Sequence, residues 1–372
     1  MEEKIITIAS YPYSRAQLLK GRLEAEGIEC FLSNINLVQP DISTGVKVKI
    51  NDKDADRAYK IIDEIKDEYG KEKEETVELL KSVRRILVPV DFSEPSLNAC
   101  NFALGLAHRL KAEIKLFYTF FNPIVSSESY IEGYAYQSNI STIVENLEKE
   151  AIQQMKSLKK QLKAYLEKQE FANVKISFEL QQGAPEDQIL QYCESYKPGV
   201  IVMGTRGRAQ GAVNLIGSVT KKIIQKATVP VFVIPKQSIF LGINYINKVL
   251  YATDFDESDF KTLRKLMNLI RPFSMKINCV HIATDLNDTL DLVRMDSLKE
   301  HFQKEFDDYR LTCDVMQHKD VFQGLEDYID EKDIDLIALT THKRGIIEKL
   351  FNPSLARRML FHTNIPLLVF HS

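Results

Sequence analysis

The 372-residue sequence predicts an α/β protein in which two tandem domains, each with a five-stranded parallel sheet, follow a small N-terminal α+β module. Three observations carry this. Beyond residue 80, short apolar runs alternate with segments of helical periodicity, as expected of parallel strands covered on both faces by crossover helices. The same order of elements then occurs a second time. Before residue 70, by contrast, one strand alternates apolar and charged residues, the pattern of a sheet with one solvated face.

The N-terminal module opens with a β-branched run over Ile5 to Ile8 and a helical pattern from Ser14 to Glu26. The helix stops at Gly27, a residue that accepts positive φ at no steric cost. IECFLS then reads as a strand, a polar loop with Pro40 and Gly45 follows, and VKVKI is the alternating strand. Asp54 to Tyr69 has amphipathic helical spacing. The segments LEAEGIECFLSN and VKI-x-DKDADRAYKII resemble the DUF2007 family of signal-transducing modules over residues 1–70. That resemblance implies a ferredoxin-like sheet with helices on one face and brings no reaction with it, so a passive accessory role and a ligand-sensing role both stay open.

Residues 71–82 are charged and poor in large apolar side chains, as a linker is. The first tandem domain, 83–236, starts with the strand RRILVPVDFS, which ends in Asp91, and a helix over Glu94 to Leu110. EIKLFYTFF is the second strand, and a long helix runs from about Thr142 to Lys168. VKISFEL, a Gly183-Ala184-Pro185 turn into a helix, GVIVMG, a helix over Ser218 to Lys226 and VPVFVIP complete the domain.

The second domain, 246–372, aligns with the first by subtraction. ILVPVDFSEPS pairs with VLYATDFDESD at a separation of 163, which joins Asp91 to Asp254 and Phe92 to Phe255. Later segments pair at 136, with Thr205 opposite Thr341, Ser218 opposite Ser354 and Pro230 opposite Pro366. The 27 extra residues of the first copy fall between Asn122 and Asn173. Within them SSESYIEGYAYQSN is polar, tyrosine-rich and without periodicity, and it is expected to be a loop or lid at the binding face.

The chemistry concentrates after GVIVMG. Gly204 and Gly207 are separated by two residues, Gly207 and Gly217 by nine, and Ser218 follows directly. Glycines let the backbone approach a phosphate and turn successive N–H groups toward it. Ser218, Val219 and Thr220 open a helix whose unpaired N–H groups and positive dipole end favour the same anion, with the hydroxyls of Ser218 and Thr220 as added donors. Asp91 ends the first strand on the same sheet edge, where open parallel sheets bind ligands. It is placed to accept from a ribose, to help hold a metal, or to serve as a helix N-cap or turn residue.

RILVPVDFS, the Gly-Ala-Pro turn, the G-x2-G-x9-G-S loop and VPVFVIP together resemble a universal stress protein domain of the ATP-binding type, and the repeat extends the resemblance over the whole chain beyond residue 80. It implies a Rossmann-like, adenine nucleotide alpha hydrolase-like fold. It also implies ATP held with Mg2+ or Mn2+ through the phosphates. By resemblance the contacts fall on Val90, Asp91, Thr119, Met203, Gly204, Arg206, Gly207, Gly217, Ser218, Val219 and Thr220. Pairing of the two final strands, VPVFVI with IPLLVF, within one chain is implied as well, and further dimerisation is compatible with it.

The second copy reads TTHKRGIIEKLFNPS at the loop, so that Thr340, Lys343 and Pro353 stand for Gly204, Gly207 and Gly217. Side chains at the first two positions obstruct close backbone approach, and proline removes an N–H at the third. This copy is expected not to bind ATP, although Lys343 and Arg344 leave a weak anion contact open. His281, His318 and His342 lack metal-ligand spacing, and the five cysteines form no zinc pattern.

A net charge of −3 gives no general attraction to nucleic acid or anionic membrane, and no apolar run reaches the ~18 residues of a membrane span. The expected setting is cytoplasmic. The favoured function is a stress-response regulator whose nucleotide occupancy alters its engagement of a protein partner. An enzyme such as a slow ATPase or an autophosphorylating protein is the alternative, weakened by the lack of a G-x-x-x-x-G-K-[ST] loop and of an evident general base. A nucleotide-independent scaffold is the third reading.

Overall fold

A computed structural model describes residues 5–11, 13–34, 46–55, 57–62, 84–120, 134–169, 171, 174–205, 216–236, 243–255, 257–284, 290–306, 310–341 and 365–371. The chain divides into two compact units. One comprises residues 1–78, 253–264 and 278–324, the other 79–252, 265–277 and 325–372.

In the first unit the N-terminal module forms a three-stranded antiparallel sheet of β1 (Ile5–Tyr11), β2 (Cys30–Ser33) and β3 (Val46–Asn51) in the order β1-β3-β2. Val46, Val48 and Ile50 are fully buried while Lys47 is exposed and Lys49 half-buried, which is the alternation the sequence shows. The helix Tyr13–Ala25 covers the buried face with Ala16, Leu19 and Leu23, three and four residues apart. Gly27 ends it at φ +74°, where the N–H groups of Gly27 and Ile28 return to the carbonyls of Glu24 and Leu23.

Each tandem repeat contributes five strands to a sheet. The first supplies β4 (Arg85–Pro89), β5 (Glu113–Phe120), β6 (Ile176–Gln182), β7 (Val200–Gly204) and β8 (Val231–Ile234). The second supplies β9 (Lys248–Ala252), β10 (Lys276–Ala283), β11 (Leu311–Gln317), β12 (Leu336–Thr340) and β13 (Leu367–Phe370). The order across the whole sheet is β11-β10-β9-β12-β13-β8-β7-β4-β5-β6. β8 and β7, β7 and β4, β4 and β5, and β5 and β6 pair in parallel. β13 and β8 pair antiparallel, with Leu368 opposite Phe232, so the two final strands do join within the chain.

Within the first repeat β4 sends its crossover to β5 on one side while β7 lies on the other. The crevice between the ends of β4 and β7 is therefore a topological switch point. β7 is buried along its whole length, as its continuous apolar run requires. The helix Glu94–Leu110 begins at an N-cap, Ser93, and has Pro95 in its first turn.

One expectation is corrected. The helix before β6 spans Tyr134–Lys168, so the end of the tyrosine-rich segment, from Tyr134 onward, is helical rather than a loop or lid. Ala151, Met155, Leu158, Leu162 and Leu166 bury one stripe of this helix at spacings of three and four. A helix nucleated by such packing extends into sequence with little periodicity of its own. The preceding part of the segment, 126–133, lies outside the described residues.

Candidate functional site

The C-terminal edge of the first repeat's sheet collects the predicted residues from four elements. Val90 follows β4, is 6% exposed and gives its N–H to the carbonyl of Phe117 on β5. Asp91 is half-buried. Its Oδ1 accepts from the N–H of Ser93 at 3.1 Å and from the Ser93 hydroxyl at 2.5 Å, while its own N–H points to Ser96 Oγ at 3.5 Å. Asp91 therefore shapes the turn from strand to helix, and the N-cap itself is Ser93, whose Oγ accepts from the N–H of Ser96 at 3.4 Å. Thr119 sits near the end of β5, opposite Gln181 of β6, and is half-buried.

Phe92, between Asp91 and Ser93, adopts φ +60°, a left-handed conformation that costs a bulky residue about 1–2 kcal/mol. Its ring rests on Tyr118 with centroids 4.9 Å apart. Phe255 of the second repeat has φ +63° and rests on His281 at 4.5 Å. Both rings occupy matched positions in the aligned D-F motif, where nothing in the sequence marks their left-handed backbone.

Gly204 ends β7, and packing gives it a reason to be glycine beside the expected one. A Cβ at this position would lie 2.7 Å from the backbone carbonyl carbon of Pro95, so the missing side chain admits the first turn of the helix Glu94–Leu110. Met203 is 4% exposed, which assigns its side chain to the core.

Past the loop, Gly217 is the N-cap of the helix Ser218–Lys226 at φ −67° and ψ 156°, without a side-chain cap. Its N–H donates to the carbonyl of Thr205 at 2.8 Å, and the first intrahelical bond runs from the N–H of Lys221 to the carbonyl of Gly217. The N–H groups of Ser218, Val219 and Thr220 precede that bond, as at any helix N-terminus. The Thr220 hydroxyl is buried and donates to the carbonyl of Gly204 at 2.9 Å, locking the helix start onto the end of β7. Ser218 is exposed and Val219 half-buried. Arg206 and Gly207 lie outside the described residues, as do Lys343, Arg344 and Pro353 of the second copy.

The second repeat's edge is built from different chemistry. Thr253 stands where Val90 stands and gives its N–H to the carbonyl of Val280, as Val90 does to Phe117. Asp259, in the place of Ser96, is fully buried. Its Oδ2 accepts from the Thr253 hydroxyl at 2.8 Å and from the Asp254 N–H at 2.9 Å. Thr340 replaces Gly204 and is also fully buried. Among the described residues no group of three or more His, Cys, Asp or Glu side chains could hold a metal ion. No described helix is long and apolar enough to cross a membrane.

Both repeats match one known family. The universal stress protein family matches residues 82–235 and again 246–371. The chain belongs to the universal stress protein family. A second family, described as "Putative prokaryotic signal transducing protein", matches residues 13–66. A universal stress protein of Methanocaldococcus jannaschii is 30% identical over 153 residues, 41% of this chain and 82% of that one. The universal stress protein YxiE of Bacillus subtilis is 26% identical over 152 residues, 40% of this chain and 97% of its own length. The crystal structure of a universal stress protein from Archaeoglobus fulgidus covers 77% of this chain and 96% of its own at 19% identity and a TM-score of 0.53, a likeness of fold.

Proposed function

We propose that this universal stress protein is a nucleotide-binding regulatory protein with one ATP site per chain, in the first repeat. The observation that supports it most directly is the convergence at one switch point: Thr220 pins the N-terminus of the helix Ser218–Lys226 to the end of β7, beside the turn that Asp91 organises at the end of β4. A helix N-terminus capped by glycine presents backbone N–H groups to a phosphate chain without an obstructing side chain. Asp91, with one carboxylate oxygen committed to Ser93, stands at the same edge for a ribose hydroxyl. Mg2+ or Mn2+ would reach this edge as the nucleotide's counter-ion, neutralising the phosphates.

The second repeat serves a structural role in this reading. Thr340 fills the place of Gly204, and the Thr253 and Asp254 turn is tied to the buried carboxylate of Asp259. Binding, rather than turnover, is the activity proposed, with ATP occupancy of the first repeat altering how the chain meets a protein partner.

Titration calorimetry with Mg-ATP is expected to give one site per chain, abolished by Gly207→Val. Two sites, or none, would overturn the asymmetric assignment. A steady-state hydrolysis rate of enzymatic size, lost in the same variant, would favour the enzyme reading.

A further inference from the structure

At the strand ends of the second repeat an imidazole is held between two elements. His281, on β10, meets an oxygen at each ring nitrogen: Nδ1 lies 2.8 Å from the carbonyl of Thr253 and Nε2 lies 3.2 Å from Oδ2 of Asp291. Asp291 is only 7% exposed, and its Oδ1 also receives Arg294 Nη1 at 3.3 Å. The first repeat has nothing equivalent at this position, because Tyr118 stands in the place of His281 and carries no ring nitrogen to reach the carbonyl of Val90.

Asp291 belongs to the first turn of the helix Leu290–Phe306. The N-terminal module's helix, Tyr13–Ala25, packs against that same helix inside one compact unit. His281 and Asp291 thus tie the strand-end carbonyl of Thr253 to the helix against which the module's helix packs.

We propose that His281 is a positioning residue that fills the second repeat's sheet edge and, through Asp291, fixes the helix on which the N-terminal module is docked. The second repeat thereby acts as the module's mount, a role that does not depend on nucleotide in the first repeat. Removing the imidazole leaves two buried acceptors unpaired, the Thr253 carbonyl and one Asp291 oxygen, and loosens the start of the helix Leu290–Phe306 first.

Hydrogen exchange of the full chain without nucleotide tests this, on His281→Ala and Asp291→Ala. Each variant is expected to speed exchange about tenfold in Leu290–Phe306 and in Tyr13–Ala25 while Glu94–Leu110 keeps its protection. Free imidazole is expected to restore protection in His281→Ala and not in Asp291→Ala. Unchanged exchange in Tyr13–Ala25, a rise that also includes Glu94–Leu110, or failure of imidazole to rescue would each overturn the proposal. If His281→Ala does not fold, the selective rise in Asp291→Ala decides the matter. Because nucleotide is absent throughout, failure of the ATP assignment leaves this result untouched.

Discussion

A methyl group on Gly204 would meet the backbone of Pro95 at 2.7 Å, a contact that no side-chain rotation relieves. Gly204→Ala is therefore expected to cost about 1–3 kcal/mol, as overpacking does. Urea denaturation of the nucleotide-free protein measures it. A loss of that size would separate the packing role of this glycine from any phosphate role, which would appear only in the presence of ligand. The second repeat meets the same position with Thr340, fully buried. At the opposite extreme, Cys100 and Cys193 need no special role. Burial pushes both thiols up to about 12, Cys193 with added repulsion from Glu194, which keeps them protonated and slow to react at neutral pH.

Glu113 joins three elements at the far edge of the first repeat's sheet. From the start of β5 it receives Lys175 Nζ at 3.0 Å and the Tyr196 hydroxyl at 3.2 Å. Tyr196 in turn stacks on Tyr192, which lies against Phe117. The hydrogen bond from Lys175, ahead of the opposing cost of burial and the bond from Tyr196, holds the Glu113 carboxyl below its ordinary value of 4.5. A lowered acid stabilises the fold above the unfolded value, and that contribution is lost as pH falls below about 4.5 through the lower folded value. Glu113→Gln is expected to cost about 1 kcal/mol or less at neutral pH, since Lys175 is largely exposed. Thermal melts at pH 7 and at pH 3 should show the gap between variant and parent closing in acid.

Across the whole molecule the antiparallel junction of β8 and β13 determines how the repeats coexist. Leu368 and Phe232 face each other in register and are both buried, and Phe232 also packs on Phe102 with ring centroids 5.1 Å apart. Each strand would otherwise leave an apolar edge with unpaired N–H and carbonyl groups, a template for aggregation. Leu368→Lys buries an ammonium without a provided partner, at a cost of several kcal/mol. The expected result is self-association on size-exclusion chromatography together with increased binding of a hydrophobic dye.

The sequence by itself determined the α/β class, the repeat and the inequality of the two copies, because these depend on local periodicity and on residue identity at aligned positions. Apolar runs such as VIVMG require burial on both faces wherever they occur, and Pro353 lacks an N–H in any fold. Tertiary structure decided what several of those residues do. Gly204 and Thr220 read as ligand contacts in a linear motif, and the fold adds a packing role to each, through Pro95 and the Gly204 carbonyl, which are brought close only by the crossover helix and the start of the helix Ser218–Lys226. His281 has no metal spacing and reads in sequence only as a satisfied structural or surface residue, with no partner named, because its partners Thr253 and Asp291 come from a neighbouring strand end and a following helix. Such partners are chosen by three-dimensional proximity, which a one-dimensional pattern of hydrophobicity does not encode.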